Sequence, residues 1–320
     1  MKFSKHNILF FVVSLLTLLV LAGCGKTDTT QSNETRTLTY KDQTYTVPAN
    51  PQRIATMSNS VLALLDAVGG KSIDRVDSTE PLPDTFKDLP SIGTTANINM
   101  ETLLGLKPDL VLGLGNQHSK YEGQLQSNHL SYILFNYDGI KDNVPLLLFL
   151  GELTHNEDKA KAVVADYNRK IDIAKKAAAD SAAQQGTAKV AVLRATAKAV
   201  TAETDLAITA SMVKELGMNN VVLSSGDYDH SAKTIPYSLE KLTVDDPDII
   251  FISTMGKKDE ITKTMAKEMT DNPAWQNLKA VRNNKVFYLP SNYFLLNPGL
   301  HTPDAMAELV KMAYNKEVIF

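Results

Sequence analysis

From Glu157 to about Ala183 the chain holds neither glycine nor proline. The stretch is rich in Ala, Lys and Asp, and Ala160, Val163, Val164, Tyr167, Ile171 and Ile173 recur in it at roughly helical spacing. Gln184-Gln185-Gly186-Thr187 closes it. At about 1.5 Å per residue such a helix spans roughly 40 Å. A rod of that length suits a stiff spine bridging two lobes, and this constrains what the rest of the chain can build.

On both sides of the spine, short apolar runs alternate with helical stretches. Strands are expected at Arg53–Met57, Leu110–Leu114, Tyr132–Asn136, Lys189–Leu193, Ile249–Ile252 and Lys285–Leu289, with amphipathic helices such as Val61–Val68 and Ser211–Leu216 between them. Alternation of this kind argues for parallel sheets covered by helices. Leu38–Lys41 and Thr44–Val47, turning at Asp42-Gln43, read as an opening hairpin, and Val144 to Leu150 as the buried face of a helix. An internal echo supports two similar lobes. Glu101, Leu103, Pro108 and Asp109 recur as Glu240, Leu242, Pro247 and Asp248, each set reading as a short helix, a Pro-Asp turn and a buried strand. The expected fold is α/β: two Rossmann-like lobes, residues 36–156 and 186–320, joined by one spine helix, 157–185, with a ligand cleft between the lobes.

The N-terminus reads as a targeting segment. Lys2 and Lys5 precede an apolar run, Ile8 to Leu21, that is shorter than the about 20 residues a membrane span needs. Leu21-Ala22-Gly23-Cys24 resembles the bacterial lipobox, so residues 1–23 are expected to be a lipoprotein signal peptide and Cys24 the lipidated residue. Cys24 is the only cysteine, which excludes a disulfide framework. Residues 24–35, small and polar, read as a flexible tether.

The net charge of −3 gives no reason to invoke nucleic acid, and 43% hydrophobic with 22% charged residues is ordinary for a globular protein. The chain lacks Gly-x-Ser-x-Gly, a Walker loop and His-Glu-x-x-His, so it is not expected to be an enzyme.

Taken in order, Pro51-Gln52-Arg53-Ile54, Pro90-Ser91-Ile92-Gly93, the Met100-Glu101…Pro108-Asp109-Leu110-Val111 unit, the spine, and Pro273-Ala274-Trp275 running into Asn284-Lys285-Val286-Phe287-Tyr288 resemble the helical-backbone class of periplasmic binding proteins. The resemblance covers Leu38 to the C-terminus. It implies the substrate-binding lipoprotein of an ABC importer for iron–siderophores, haem or cobalamin. Such a protein is monomeric, held by lipid on the extracytoplasmic face of the cell membrane, and hands its ligand to permease subunits. By motif, Glu101 and Glu240 map onto the glutamates that dock on permease arginines; as first-turn helix residues they also suit the helix dipole.

Ligands of α/β lobes bind at the carboxyl ends of strands. That rule selects Met57, Ser58, Asn59, Thr94, Thr95, Asn116 and His118 in the first lobe, and Arg194, Met255 and Tyr293 in the second. His118 is a candidate for haem iron or a siderophore hydrogen bond, or an ordinary surface histidine. Met255 reads as an open-cleft thioether or a core methionine. Arg194 suits an anionic oxygen of the ligand, or a salt bridge to a local acid. In haem binders of the class a methionine follows the first-lobe glycine, whereas Gly93-Thr94-Thr95-Ala96 has none. With Arg194 the one basic residue expected at the strand ends, a hydroxamate iron(III) complex fits better than a catecholate. Haem and cobalamin are the alternatives. A zinc- or manganese-binding lipoprotein, lacking a His-rich loop, and an adhesive surface protein follow. No resident metal or cofactor is expected, the iron chelate being cargo.

Overall fold

The computed structural model describes residues 34–78, 82–224 and 226–320. The expected signal peptide, Cys24 and nearly all of the expected tether lie outside them. Thr35, expected to end the tether, instead opens the first strand. Thr35–Tyr40 and Gln43–Pro48 pair antiparallel with Tyr40 opposite Gln43, so the turn falls on Lys41-Asp42, one residue earlier than the sequence suggests. The buried positions set this register: Leu38, Tyr40 and Val47 face inward, with Tyr40 packed edge-on against Phe135 and Phe149.

In the first lobe Ile54–Thr56, Leu110–Leu114 and Ser131–Phe135 form a parallel sheet in that order. All five residues of Leu110–Leu114 are buried, as a strand covered on both faces requires. The helix Asn59–Ala67 buries Val61, Leu62, Leu64 and Leu65. A small sheet of Arg75–Asp77, Ser91–Thr94 and Asn97–Ile98 lies beside the main one, and just before its first strand Ser72 bridges to Ile54 and Asp74 accepts from the Thr56 amide. In the second lobe the order is Thr234–Pro236, Val200–Glu203, Lys189–Thr196, Ile249–Met255, Val286–Leu289. The last three are parallel and the first two antiparallel additions.

The spine is a single helix, Glu157–Gln185, ended by Gly186 at φ 87. Its buried residues, Ala160, Tyr167, Ala174, Ala178 and Ser181, lie mostly seven or four apart, so one narrow stripe faces inward. Ala160 belongs to the first lobe's core, Ala174 and Ala178 to the second's. Small residues let its neighbours come close. A methyl added at Gly151, in the helix Asn143–Leu153, would lie 2.3 Å from the Ala160 Cβ.

The echo in the sequence is an echo in structure. Met100–Gly105 and Leu239–Asp245 are both helices, and each is capped by a side chain, Asn99 accepting from the Thr102 N–H and Ser238 from the Lys241 N–H. The aspartate after each proline then holds the start of its lobe's first parallel strand. Asp109 accepts from the Gln52 and Arg53 amides at 2.7 and 3.0 Å, and Asp248 from the Lys189 amide at 3.4 Å.

Candidate functional site

The lobes face each other across a cleft of about 630 Å³. Its walls are the carboxyl ends of the parallel strands and the loops that follow, where helix and strand diverge and leave backbone and side chains open. The first lobe contributes residues 58–60 after Ile54–Thr56, Asn116 and Gln117 after Leu110–Leu114, and Tyr137 and Asp138 after Ser131–Phe135. The second contributes Arg194, Met255, Lys233 just before Thr234–Pro236, and Leu296 and Asn297 beyond Val286–Leu289.

The two walls differ in chemistry. The first is polar. Asn59 spends both ends of its amide on the backbone of Val76, at 2.9 and 3.2 Å, so it fixes the small sheet as well as lining the cleft. Ser58 and Ser60 share a hydrogen bond at 2.8 Å. Asn116 donates to Asp138 at 3.0 Å. The second wall is largely apolar, with Leu206, Met255 and Leu296 exposed by 42, 53 and 60%. Unpaired apolar side chains gathered in a concave site mark a surface that a ligand covers.

Each cation at the cleft meets a carboxylate. Arg194 donates from Nε and Nη2 to Oε1 of Glu203, at 3.0 and 2.8 Å. The Lys233 Nζ lies 3.6 Å from Asp138 on the opposite lobe. A second link between lobes is Asn297, which donates to the Gly139 carbonyl at 2.8 Å. Behind the cleft the buried Asn143 ties the lobes to the spine. It accepts from the Tyr137 hydroxyl at 2.6 Å, and its amide nitrogen lies 3.0 Å from the hydroxyls of Tyr167 and Thr302. Burial pushes the Tyr137 hydroxyl well above its ordinary pKa, so it stays a neutral donor.

Several residues chosen from sequence are therefore elsewhere or otherwise engaged. Met57 is fully buried in the core of the first lobe. Its strand is short, and the chain turns into the cleft only at Ser58. His118 is also fully buried. Its Nδ1 accepts from the Leu114 N–H at 2.8 Å, which leaves the proton on Nε2 to donate to the Thr95 carbonyl at 2.9 Å. Burial lowers its pKa, and neither nitrogen is left for a ligand. Gly113 makes this packing possible: a Cβ there would lie 2.6 Å from Met57 Cε and 2.9 Å from His118 Nδ1. Thr94 ends the strand Ser91–Thr94, its hydroxyl accepting from the Asn97 N–H across the turn at 3.2 Å, and only its neighbour Thr95 lines the cleft. Tyr293 packs against the second core and edge-on to His301, and Asn292, Leu295 and Leu296 line the cleft in its place. Ser58, Asn59, Thr95, Asn116, Arg194 and Met255 do come together there. Arg194 makes the salt bridge to a local acid, Glu203, and its side chain also lines the cleft. Glu101 and Glu240 are exposed, one on each lobe, and form no ion pair among the described residues.

The sequence reading missed Asp138, Lys233, Leu206, Leu296 and Glu203. Asp138 carried a signal, because it follows the strand Ser131–Phe135 and the carboxyl-end rule applies to it. Among the described residues no group of three or more His, Cys, Asp or Glu is placed to hold a metal ion.

A family model described as periplasmic binding protein matches residues 54–293. The Fe(3+)-citrate-binding protein YfmC of Bacillus subtilis (strain 168) is 26% identical over 330 residues, covering 98% of this chain and 99% of that protein. The crystal structure of Staphylococcus aureus IsdE complexed with heme is 25% identical, with a TM-score of 0.66 over 82% of this chain and 98% of the other. Staphylococcus aureus SirA complexed with staphyloferrin B shares the fold, with a TM-score of 0.70 at 20% identity over 88% and 97% of the two chains.

Proposed function

The chain belongs to the periplasmic binding protein family, and from that premise we propose that it captures an iron(III) complex of low net charge, a ferric hydroxamate siderophore, and delivers it to an ABC permease. The observation that carries this reading is the charge balance of the cleft. Arg194 and Lys233 are the only cations on its described walls, and Glu203 and Asp138 answer them. A trianionic chelate would find no uncompensated positive charge. A complex with polar oxygens on one face and hydrocarbon on the other matches a polar first wall and an apolar second one. YfmC, by its name a binder of Fe(3+)-citrate, supports iron as the cargo. Haem is the second reading. It is favoured by the exposed thioether of Met255 between Leu206 and Leu296, and by the haem-bound relative IsdE. With His118 engaged, Met255 is then the axial candidate.

In this account the protein binds without chemistry. The continuous spine restricts the lobes to small relative movements. Glu101 and Glu240, exposed at equivalent places on the two lobes, pair with basic residues of the permease. Cys24 carries the lipid that holds the protein, as a monomer, on the outer face of the cell membrane. Exchanging Glu101 and Glu240 for Ala should abolish uptake and leave ligand affinity unchanged, while loss of ligand binding in that variant would refute the docking role.

Calorimetric titration of the lipid-free protein tests the ligand class, with a ferric trishydroxamate, ferric citrate, a ferric triscatecholate, haemin and cyanocobalamin as titrants. Saturable one-to-one binding of the trishydroxamate is expected. Haemin binding with a sharp Soret band would instead establish the second reading, and silence across the panel would overturn both.

A further inference from the structure

Glu203 lies beneath the cleft wall and touches no ligand-facing surface, yet the register of three strands aims it at Arg194. In the antiparallel pairing of Val200–Glu203 with Lys189–Thr196, Thr201 stands opposite Arg194. Glu203 follows two residues on, on the same face and at the diagonal position. On the other side, Ser253 of Ile249–Met255 stands directly beside Arg194 in the parallel register. The three side chains meet at one oxygen. Oε1 of Glu203 accepts from Nε and Nη2 of Arg194 and, at 2.6 Å, from the Ser253 hydroxyl. Glu203 and Ser253 are fully buried, while the Arg194 side chain keeps 15% of its exposure and lines the cleft. The bonds engage one corner of the guanidinium, and Nη1 makes no hydrogen bond among the described residues.

A buried carboxylate is an expensive way to hold an arginine, because desolvation offsets much of the attraction. Burial indeed pushes the Glu203 carboxyl up, against the pull of Arg194. A glutamine of the same size would accept the same three hydrogen bonds through its carbonyl oxygen. What the carboxylate adds is negative charge, together with a second buried oxygen, Oε2, turned toward the Ala210 backbone amide in the first turn of the helix Ile208–Glu215. With it, Arg194 presents N–H donors to the cleft without a net positive field. Without it, the guanidinium would attract any anionic chelate.

We propose that Glu203 is a specificity-determining positioning residue: by cancelling the charge of Arg194 from below, it makes the cleft select chelates without net charge over anionic ones. This rests on the iron-chelate reading above and names the property of the chelate that the protein reads.

The test is a ratio of dissociation constants, for a neutral ferric trishydroxamate and a trianionic ferric triscatecholate, in the wild type, Glu203→Gln and the double variant Arg194→Gln/Glu203→Gln. Glu203→Gln should shift the ratio toward the triscatecholate by roughly tenfold or more. The double variant, which removes charge and counter-charge together, should return it to the wild-type value. A merely structural glutamate would weaken both probes equally, and an unmoved ratio in Glu203→Gln overturns the proposal. So does a ratio that stays shifted in the double variant. Thermal melts accompany each titration. Should Glu203→Gln not fold, Arg194→Gln compared with the double variant decides: the Glu203 charge, felt in the cleft, makes Arg194→Gln disfavour the triscatecholate more than the double variant does, and equal ratios in the two overturn the proposal. Wild-type protein that binds neither probe overturns the functional reading together with the proposal, whereas wild-type binding of the trishydroxamate with an unmoved ratio overturns the proposal alone.

Discussion

Replacing His118 with Ala should destabilise the first lobe without touching the ligand. The imidazole is fully buried and bonded at both nitrogens, to the Leu114 amide at 2.8 Å and the Thr95 carbonyl at 2.9 Å. Its removal leaves a buried N–H without an acceptor, a loss of about 1–3 kcal/mol. It also opens a void where the ring packed beside Gly113, and the two effects together should reach about 3–5 kcal/mol. Urea unfolding followed by circular dichroism measures this as a lower midpoint at unchanged slope. The loss should depend on pH. The unfolded chain protonates this imidazole below about 6.5, and the folded chain, with its pKa lowered by burial, does so only at lower pH. The wild type is therefore fully stabilised above that pH and loses the contribution as pH falls below it, a loss the variant lacks. A destabilisation under about 1 kcal/mol, or a loss of ligand affinity in a variant of unchanged stability, would refute the structural role and return His118 to the cleft.

Three further outcomes follow from the same geometry. Asp74 is buried and its carboxyl is pushed up to about 6 by burial. Wild-type stability should thus fall by on the order of 2 kcal/mol relative to Asp74→Asn as pH rises from about 4 through 6, and parallel pH profiles of the two proteins would contradict this. Asp109→Ala removes the acceptor of two strand-starting amides and should cost about 1–2 kcal/mol in urea unfolding, no measurable change being the contrary result. Met255→Ala should leave stability within about 0.5 kcal/mol, because the side chain is 53% exposed. It should also raise the dissociation constant of the bound chelate roughly fivefold by calorimetry, and an unchanged constant would remove Met255 from the site.

The parts legible in the sequence are those where burial imposes a pattern. Leu110–Leu114 and Ile249–Ile252 are continuous apolar runs because helices cover both faces of their sheets, and the Pro-Asp units repeat because each clamps a first strand. The small sheet of Arg75–Asp77, Ser91–Thr94 and Asn97–Ile98 left no such trace, since its strands are two to four residues long and partly exposed. The strand-end rule found the loops but not the direction of each side chain. It chose Met57, which points into the core, and His118, which turns back onto its own strand. Glu203 is invisible to pattern reading. A glutamate in Val200-Thr201-Ala202-Glu203 looks like a solvent-facing position, and only the strand order places Arg194 and Ser253 beside it.

The most direct test of the central claim is where iron binds. Crystals grown with a ferric trishydroxamate, measured at the iron absorption edge, would locate the metal independently of any modelling of the ligand. One anomalous peak is expected in the cleft, between the Met255 and Leu296 wall and the Asn116 side, with ligand oxygens within hydrogen-bond reach of Arg194. An iron peak outside the cleft, or a cleft without iron in crystals of the saturated protein, would contradict it.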